Sequence, residues 1–319
     1  MPHNSTAPDV RVSVVVPVYR SRSILAELVR RVSQSLARQT FEIVLVHDCG
    51  PDDSWEVIQD LSREYQSVRG VNLRRNVGQH NALMAGLHYA RGNIVVTIDD
   101  DLQHAPEDIP KLVAEVEKGF DLCYASFRNR KHAMWKRMGS RLNDQLAVVL
   151  LDKPKGLYLS PFRAMRRSVR DEVIKYGGPS VYLDGLLLAV TSNISSVELD
   201  HYSRADGDGG YTLRRSVSLL LKMSTISSIL PLRLATLAGF LLAGLGAFLV
   251  VAFVAQRFIW NAMPVGWSSI VVTALILGGG QLVAIGIIGE YVGRIFLEVR
   301  KSPQYTISAT TDLDEPQDA

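Results

Sequence analysis

Residues 93–110, NIVVTIDDDLQHAPEDIP, run from an apolar, β-rich stretch straight into three adjacent carboxylates, Asp99, Asp100 and Asp101. Aspartates in a row repel one another at neutral pH unless a cation or hydrogen-bond donors offset them. One reading is an acidic turn leading into the helix that starts near Pro106-Glu107, because Asp favours turns and helix N-termini. The other is a divalent cation site, since oxygen ligands at a strand end suit Mg²⁺ or Mn²⁺, to which Gln103 would add a carbonyl oxygen.

The flanking sequence favours the second reading. Strand-like runs RVSVVV (11–16), EIVLV (42–46), GVNL (70–73), NIVVTI (93–98) and FDLCYA (120–125) alternate with amphipathic helical segments beginning at residues 21, 53, 78 and 107. That alternation predicts an α/β fold, a Rossmann-like, mostly parallel sheet covered on both faces. Such sheets bind ligands beyond the C-terminal ends of their strands. Tyr19, His47-Asp48, Arg74 to Asn76 and Asp99 to Asp101 each follow a predicted strand, so one crevice is implied.

The 319-residue chain carries a formal charge of +3, too mild for a nucleic-acid binder. Its two cysteines, Cys49 and Cys123, imply no disulfide framework. The polar first ten residues are no signal peptide. Leu234 to Ala255 and Ser268 to Gly289 are apolar runs of about 20 residues, the length that crosses a hydrocarbon core. Arg and Lys flank the outer ends of both runs, and the positive-inside rule therefore assigns both termini and everything before residue 230 to the cytoplasm. Residues 211–230 read as an amphipathic helix lying on the membrane surface. RADGDGG (204–210) reads as a flexible loop, and the acidic end TDLDEPQDA as disordered.

Absent motifs narrow the chemistry. The chain has no GxxxxGK[ST] loop, no strand-linked GxGxxG and no GxSxG elbow. A metal-bridged diphosphate leaving group remains the best use of the acidic turn.

VSVVVPVY (12–19), NVGQHNALMAGL (76–87), IDDDLQHAPEDIP (98–110), FRAMRR (162–167) and IGIIGEYVGRIFLEVRKSPQY (285–305) together resemble the inverting GT-A glycosyltransferases that charge a polyprenyl phosphate. That family includes dolichol-phosphate mannose synthase and the bacterial undecaprenyl-phosphate glucose and aminoarabinose transferases. The resemblance implies a disordered N-terminus (1–10), a GT-A catalytic domain (11–205), a flexible loop with an interfacial helix (206–231), a two-helix transmembrane domain (232–300) and a largely disordered tail (301–319). It implies a nucleotide-sugar donor, a polyprenyl-phosphate acceptor, an inner-membrane location and a homo-oligomer, tetrameric in membrane-anchored relatives.

By the same resemblance, Pro17, Tyr19 and Asp48 line the nucleoside pocket, with Asp48 a partner of the base. Asn76, Gly78, Gln79 and His80 form the loop beside the donor. Asp99 and Asp101 are the outer members of a DxD motif, Asp100 lies between them on the donor side, and Asp99, Asp101 and Gln103 hold the metal. Arg128, Arg137, Ser140, Arg141 and Arg204 form the acceptor-phosphate set, a task suited to the planar guanidinium fork. Asp184 in VYLDGLLL is the candidate base by chain order, with a structural or helix-capping role as its alternative. The chain departs from its relatives at Ser21, His47-Asp48-Cys49-Gly50, Gly209-Gly210-Tyr211 and Leu157. Two competing readings are an inactive membrane scaffold, motivated by those departures, and a processive polysaccharide synthase, disfavoured because no QxxRW occurs.

Overall fold

The computed structural model describes residues 10–127, 154, 157–178, 181–199, 266–300 and 302–311, with scattered positions between 235 and 248. The chain divides into two units, one of residues 1–210 and 301–319 and the other of residues 211–300.

The first unit follows the predicted alternation through β1 (Val12–Val18), α1 (Leu25–Ser35), β2 (Phe41–His47), α2 (Ser54–Glu64), β3 (Val68–Leu73), α3 (Gln79–Tyr89), β4 (Ile94–Thr97), α4 (Ile109–Glu117) and β5 (Leu122–Phe127). It continues with β6 (Arg163–Arg166), α5 (Arg167–Val173), α6 (Leu183–Val190) and β7 (Ile194–Leu199), and closes with β8 (Ile307–Thr310). All eight strands join one sheet in the order β7-β5-β6-β4-β1-β2-β3-β8.

Strand periodicity explains the two-sided core. In β1, Val12, Val14 and Val16 face α1, α2 and α4, where Leu25, Leu28, Ile58, Ile109 and Leu112 cover them. Val15, with Val44 and Val46 of β2, faces the opposite way onto Ala82, Leu83 and Leu87 of α3. Alternate side chains point to opposite faces, so an all-apolar strand needs helices on both sides. The fit of α3 is tight: a Cβ at Gly86 would lie 2.4 Å from Val15 Cγ1 and 2.9 Å from Val46 Cγ2. That contact fixes the helix whose first two residues, Gln79 and His80, enter the crevice.

The structure corrects two expectations. The sheet is mixed: β1 pairs in parallel with β2 and β4, β2 with β3 and β5 with β7, but β6 runs antiparallel to both β4 and β5. The four-residue RAMR run of β6 has too little apolar alternation to announce itself as a central strand. The expected disordered tail also contains structure, because β8 pairs antiparallel with β3. Thr311 closes that edge by donating its N–H to the Gly70 carbonyl and accepting the Gly70 N–H at 2.7 Å. Tyr-Thr-Ile-Ser-Ala-Thr-Thr (305–311) has the β-branched content of a strand. The acidic residues that follow it mask that signal.

In the second unit, α7 (Trp267–Val299) is 33 residues long, about 50 Å at helical rise. Ile270, Leu282, Val283, Ile285, Phe296 and Val299 are exposed on it. Among the described residues no helix counts as long and apolar enough to cross a membrane. The expected interfacial helix, the loop before it and most of the first apolar run lie outside the described residues, as do residues 1–9.

Gly86→Val drives two methyls into the β1–β2 surface and should destabilise the first unit by about 1–3 kcal/mol. A fall in the thermal midpoint of the purified chain checks it; an unchanged midpoint would show that α3 is free to shift off the sheet.

Candidate active site

The crevice is built from the loops that leave the C-terminal ends of β1, β2, β3 and β4. Three non-glycine residues there have left-handed backbone: Arg20 (φ 60°) after β1, Cys49 (φ 48°) after β2 and Leu102 (φ 54°) after β4. Such conformations cost energy and persist only where surrounding bonds over-determine them. The β1 loop is pinned by Ser21 N–H donating to Ser54 Oγ at 3.2 Å and Arg22 N–H to Asp52 Oδ2 at 3.2 Å. The β2 turn is pinned by His47, whose Nε2 accepts the Gly50 N–H at 3.1 Å. That nitrogen is therefore unprotonated, and Nδ1–H donates to Asn72 Oδ1 at 2.8 Å, joining β2 to β3.

Asp48 holds the donor-side loop. Its Oδ1 accepts the Val77 N–H at 2.7 Å and its Oδ2 the Gly78 N–H at 2.9 Å, while its backbone carbonyl accepts from Asn76 Nδ2 at 3.0 Å. Burial pushes the Asp48 carboxyl up, against the lowering effect of those two N–H donors. The residue expected to contact a base is thus already committed to shaping the loop, although each carboxylate oxygen retains acceptor capacity. Gly78, with φ 85°, supplies the left-handed turn that starts α3.

The three aspartates divide their tasks. Asp100 turns toward β1, where its Oδ2 accepts the Tyr19 N–H at 2.9 Å and the Ser21 hydroxyl. Asp99 accepts from Gln79 Nε2, and Asp101 Oδ1 accepts the Gln103 N–H at 3.1 Å. Burial, with the charges of Asp101 and Asp100, pushes the Asp99 carboxyl up to about 7. Among the described residues no cluster of three or more His, Cys, Asp or Glu side chains is arranged around a metal position. The donor set nevertheless fits a hard divalent cation that takes its remaining ligands from a diphosphate and water, because Asp99 and Asp101 offer oxygen and their mutual repulsion demands positive charge.

Tyr19 is 43% exposed at the rim, with Arg20 Cζ 5.3 Å from its ring centre, which leaves an aromatic face for a planar ligand. Pro17 is buried within β1 opposite Val46 and shapes only the floor. His80 Nδ1 accepts the Leu183 N–H at 3.4 Å and its ring meets Tyr182 edge-on at 5.4 Å. Burial holds His80 below the usual imidazole range, in its neutral form.

Asp184 lies deeper, 8% exposed, and its Oδ1 accepts from Arg163 Nη1 and, at 3.0 Å, from the Tyr124 hydroxyl. Arg163, 1% exposed, also donates from Nε to Thr97 Oγ1 at 3.2 Å. Sequence reasoning missed Arg163, Tyr124, Thr97 and Ser21. An arginine inside the apolar FRAM run was the available signal for the first, because a buried guanidinium requires a partner. Arg128, Arg137, Ser140, Arg141 and Arg204 lie outside the described residues.

Residues 13–174 match the family described as Glycosyl transferase family 2. Among curated relatives, an undecaprenyl-phosphate 4-deoxy-4-formamido-L-arabinose transferase from Pseudomonas fluorescens is 36% identical over 306 residues, spanning 93% of this chain and 89% of that one. A transferase of the same name from Proteus mirabilis is 32% identical over 311 residues, spanning 96% and 95%. Among solved structures, a glucosyl-3-phosphoglycerate synthase from Mycobacterium tuberculosis in complex with Mn²⁺ and UDP-glucose superposes with a TM-score of 0.50 at 19% identity, covering 68% of this chain and 79% of that one. The last comparison establishes shared fold.

A cation at this turn must displace the proton that Asp99 holds below about pH 7. Mn²⁺ affinity, measured by calorimetry in buffers of different ionisation heat, should rise with pH up to about 7 with proton release, then flatten. The sign for folding is opposite: with the folded-state value raised above the usual 3.8, the ion-free chain loses stability as pH climbs from there to about 7. Asp99→Asn should remove both slopes, and a pH-independent affinity in the unaltered chain would contradict the assignment.

Proposed function

Because the chain belongs to glycosyl transferase family 2, we propose that it transfers a sugar from a nucleoside diphosphate carrier to undecaprenyl phosphate or a similar polyprenyl phosphate, with inversion at the anomeric carbon. The observation that carries this reading is the acidic turn, presented at the strand ends beside the loop tethered by Asp48. The names of the relatives make 4-deoxy-4-formamido-L-arabinose the first sugar to test, here on a UDP carrier.

In this reaction the lipid phosphate oxygen attacks the anomeric carbon, that carbon's bond to the diphosphate oxygen breaks, and the electron pair leaves with the nucleoside diphosphate. A phosphate is already largely ionised near pH 7, so its attack needs no strong base. Asp99 and Asp101, with the Gln103 amide, would hold a divalent cation. When bound, that cation supplies the positive charge that the departing diphosphate requires. Tyr19 would stack on the nucleobase at the rim. Gln79 fixes the Asp99 carboxylate, and Asp100 holds the β1 loop that carries Tyr19. The acceptor phosphate would meet Arg128, Arg137, Ser140, Arg141 and Arg204, whose guanidinium groups suit paired bonds to its oxygens.

A lipid acceptor places the reaction at a bilayer surface. We assign α7 and the apolar run Leu234 to Ala255 as two membrane spans, with the first unit on the cytoplasmic side. The apolar sequence runs Leu234 to Ala255 and Ser268 to Gly289 support the assignment, as does the basic flank that follows the second.

The purified chain, given Mn²⁺, undecaprenyl phosphate and UDP-4-deoxy-4-formamido-L-arabinose, should release UDP and form a lipid-linked sugar. Asp101→Asn should lower turnover by about 100-fold or more while the thermal midpoint stays within a few degrees. Absence of UDP release across a panel of UDP-sugars would overturn the donor class, and near-normal turnover in Asp101→Asn would remove the metal from the scheme.

A further inference from the structure

The contacts described above join into a closed circuit around the acidic turn. Asp99 accepts from Gln79, and the adjacent His80 accepts the Leu183 N–H and packs on Tyr182. The next residue, Asp184, pairs with Arg163, whose Nε donates to Thr97, two residues before Asp99 on the same chain. Thr97 is locked further because its hydroxyl donates to the Pro161 carbonyl at 2.6 Å. Four elements, β4, α3, α6 and β6, thereby meet at one turn.

The chemistry of the inner half of this circuit is unlike that of a catalytic base. The Asp184 oxygen is already engaged by a guanidinium and a phenol, and Tyr124 stacks its ring 5.7 Å from Arg163 Cζ. A carboxylate oxygen that accepts from two buried donors fixes their geometry. A buried arginine without that partner would be left with an uncompensated charge.

We infer that Arg163 and Asp184 are positioning residues, a buried ion pair that holds the acidic turn at a fixed distance from the Gln79-His80 end of α3. The pair acts through Thr97 on one side and through Leu183 and His80 on the other. Its role in donor binding rests on the reading under Proposed function, whereas its mechanical role does not.

Two measurements on the full-length chain test this. In amide hydrogen exchange without nucleotide, Asp184→Asn should speed exchange in peptides covering 76–83 and 97–104 together, while α2 peptides (54–64) keep wild-type rates. In calorimetry with Mn²⁺ and UDP as probes, the same variant should bind UDP at least about fivefold more weakly, a fold-change of the kind one ordinary hydrogen bond carries. Arg163→Met should lose at least as much, and the double variant Arg163→Met with Asp184→Asn should recover part of the loss, since removing both charges leaves neither uncompensated.

Unchanged exchange in both segments, or a double variant no better than Arg163→Met, overturns the inference. So does an Asp184→Asn chain that binds UDP normally yet fails to turn over, which would make Asp184 the base. If the unaltered chain binds no UDP with Mn²⁺ while the exchange result holds, the donor assignment fails and the positioning pair stands.

Discussion

Like charges forced together at the end of β4 set the terms for everything around them. Asp99, Asp100 and Asp101 leave the strand within one turn, and their repulsion must be met by protons, donors or a cation. The protein meets it unevenly. The charge of Asp100 is offset by hydrogen bonds from the β1 loop, while Asp99 keeps a single side-chain donor and a carboxyl raised to about 7. What remains is a pair of oxygen donors under electrostatic strain, and such a pair gains most from positive charge that arrives with a substrate. The second member of the trio therefore works as a brace for the β1 loop.

The loops that frame this turn are ordered by hydrogen bonds to their backbone. Arg20, Cys49 and Leu102 sit in left-handed backbone, and each is held by a short web of side-chain-to-backbone hydrogen bonds. Such webs fix ligand-facing atoms without filling the crevice with apolar side chains. Below them the requirements reverse. Arg163, Asp184 and Tyr124 are buried, and their polarity is tolerated because each satisfies another. The site thus has an upper layer of loops and a lower layer of matched charges, joined through Thr97 and His80.

Periodicity made the first four strands and helices legible, since VSVVVPV and the helix after it follow simple apolar rules. The acidic turn and the loop beside it were legible too, because polar residues after a strand stand out against an apolar background. Asp48 stands out in the sequence as a polar residue after β2, but its carboxylate shapes the 76–78 loop, which no single-residue reading reveals. Arg163 and β6 escaped for a different reason. Their meaning depends on partners 21 and 66 positions away, Asp184 and Thr97, and an arginine in a short apolar run hints at burial without naming those partners. β8 escaped because its pairing partner lies more than two hundred residues upstream, as the 241-residue separation of Gly70 and Thr311 shows.

That last pairing has a consequence for biosynthesis. A ribosome releases β1 through β7 long before it reaches residue 307, so during translation the outer edge of β3 carries unsatisfied amide and carbonyl groups. Strand edges in that condition recruit other chains. The window closes only after the intervening ninety residues of the second unit, 211–300, have been made. Completion of the sheet therefore waits for the second unit to be synthesised, and a nascent chain that stalls within that unit leaves the ribosome with its sheet still unsealed.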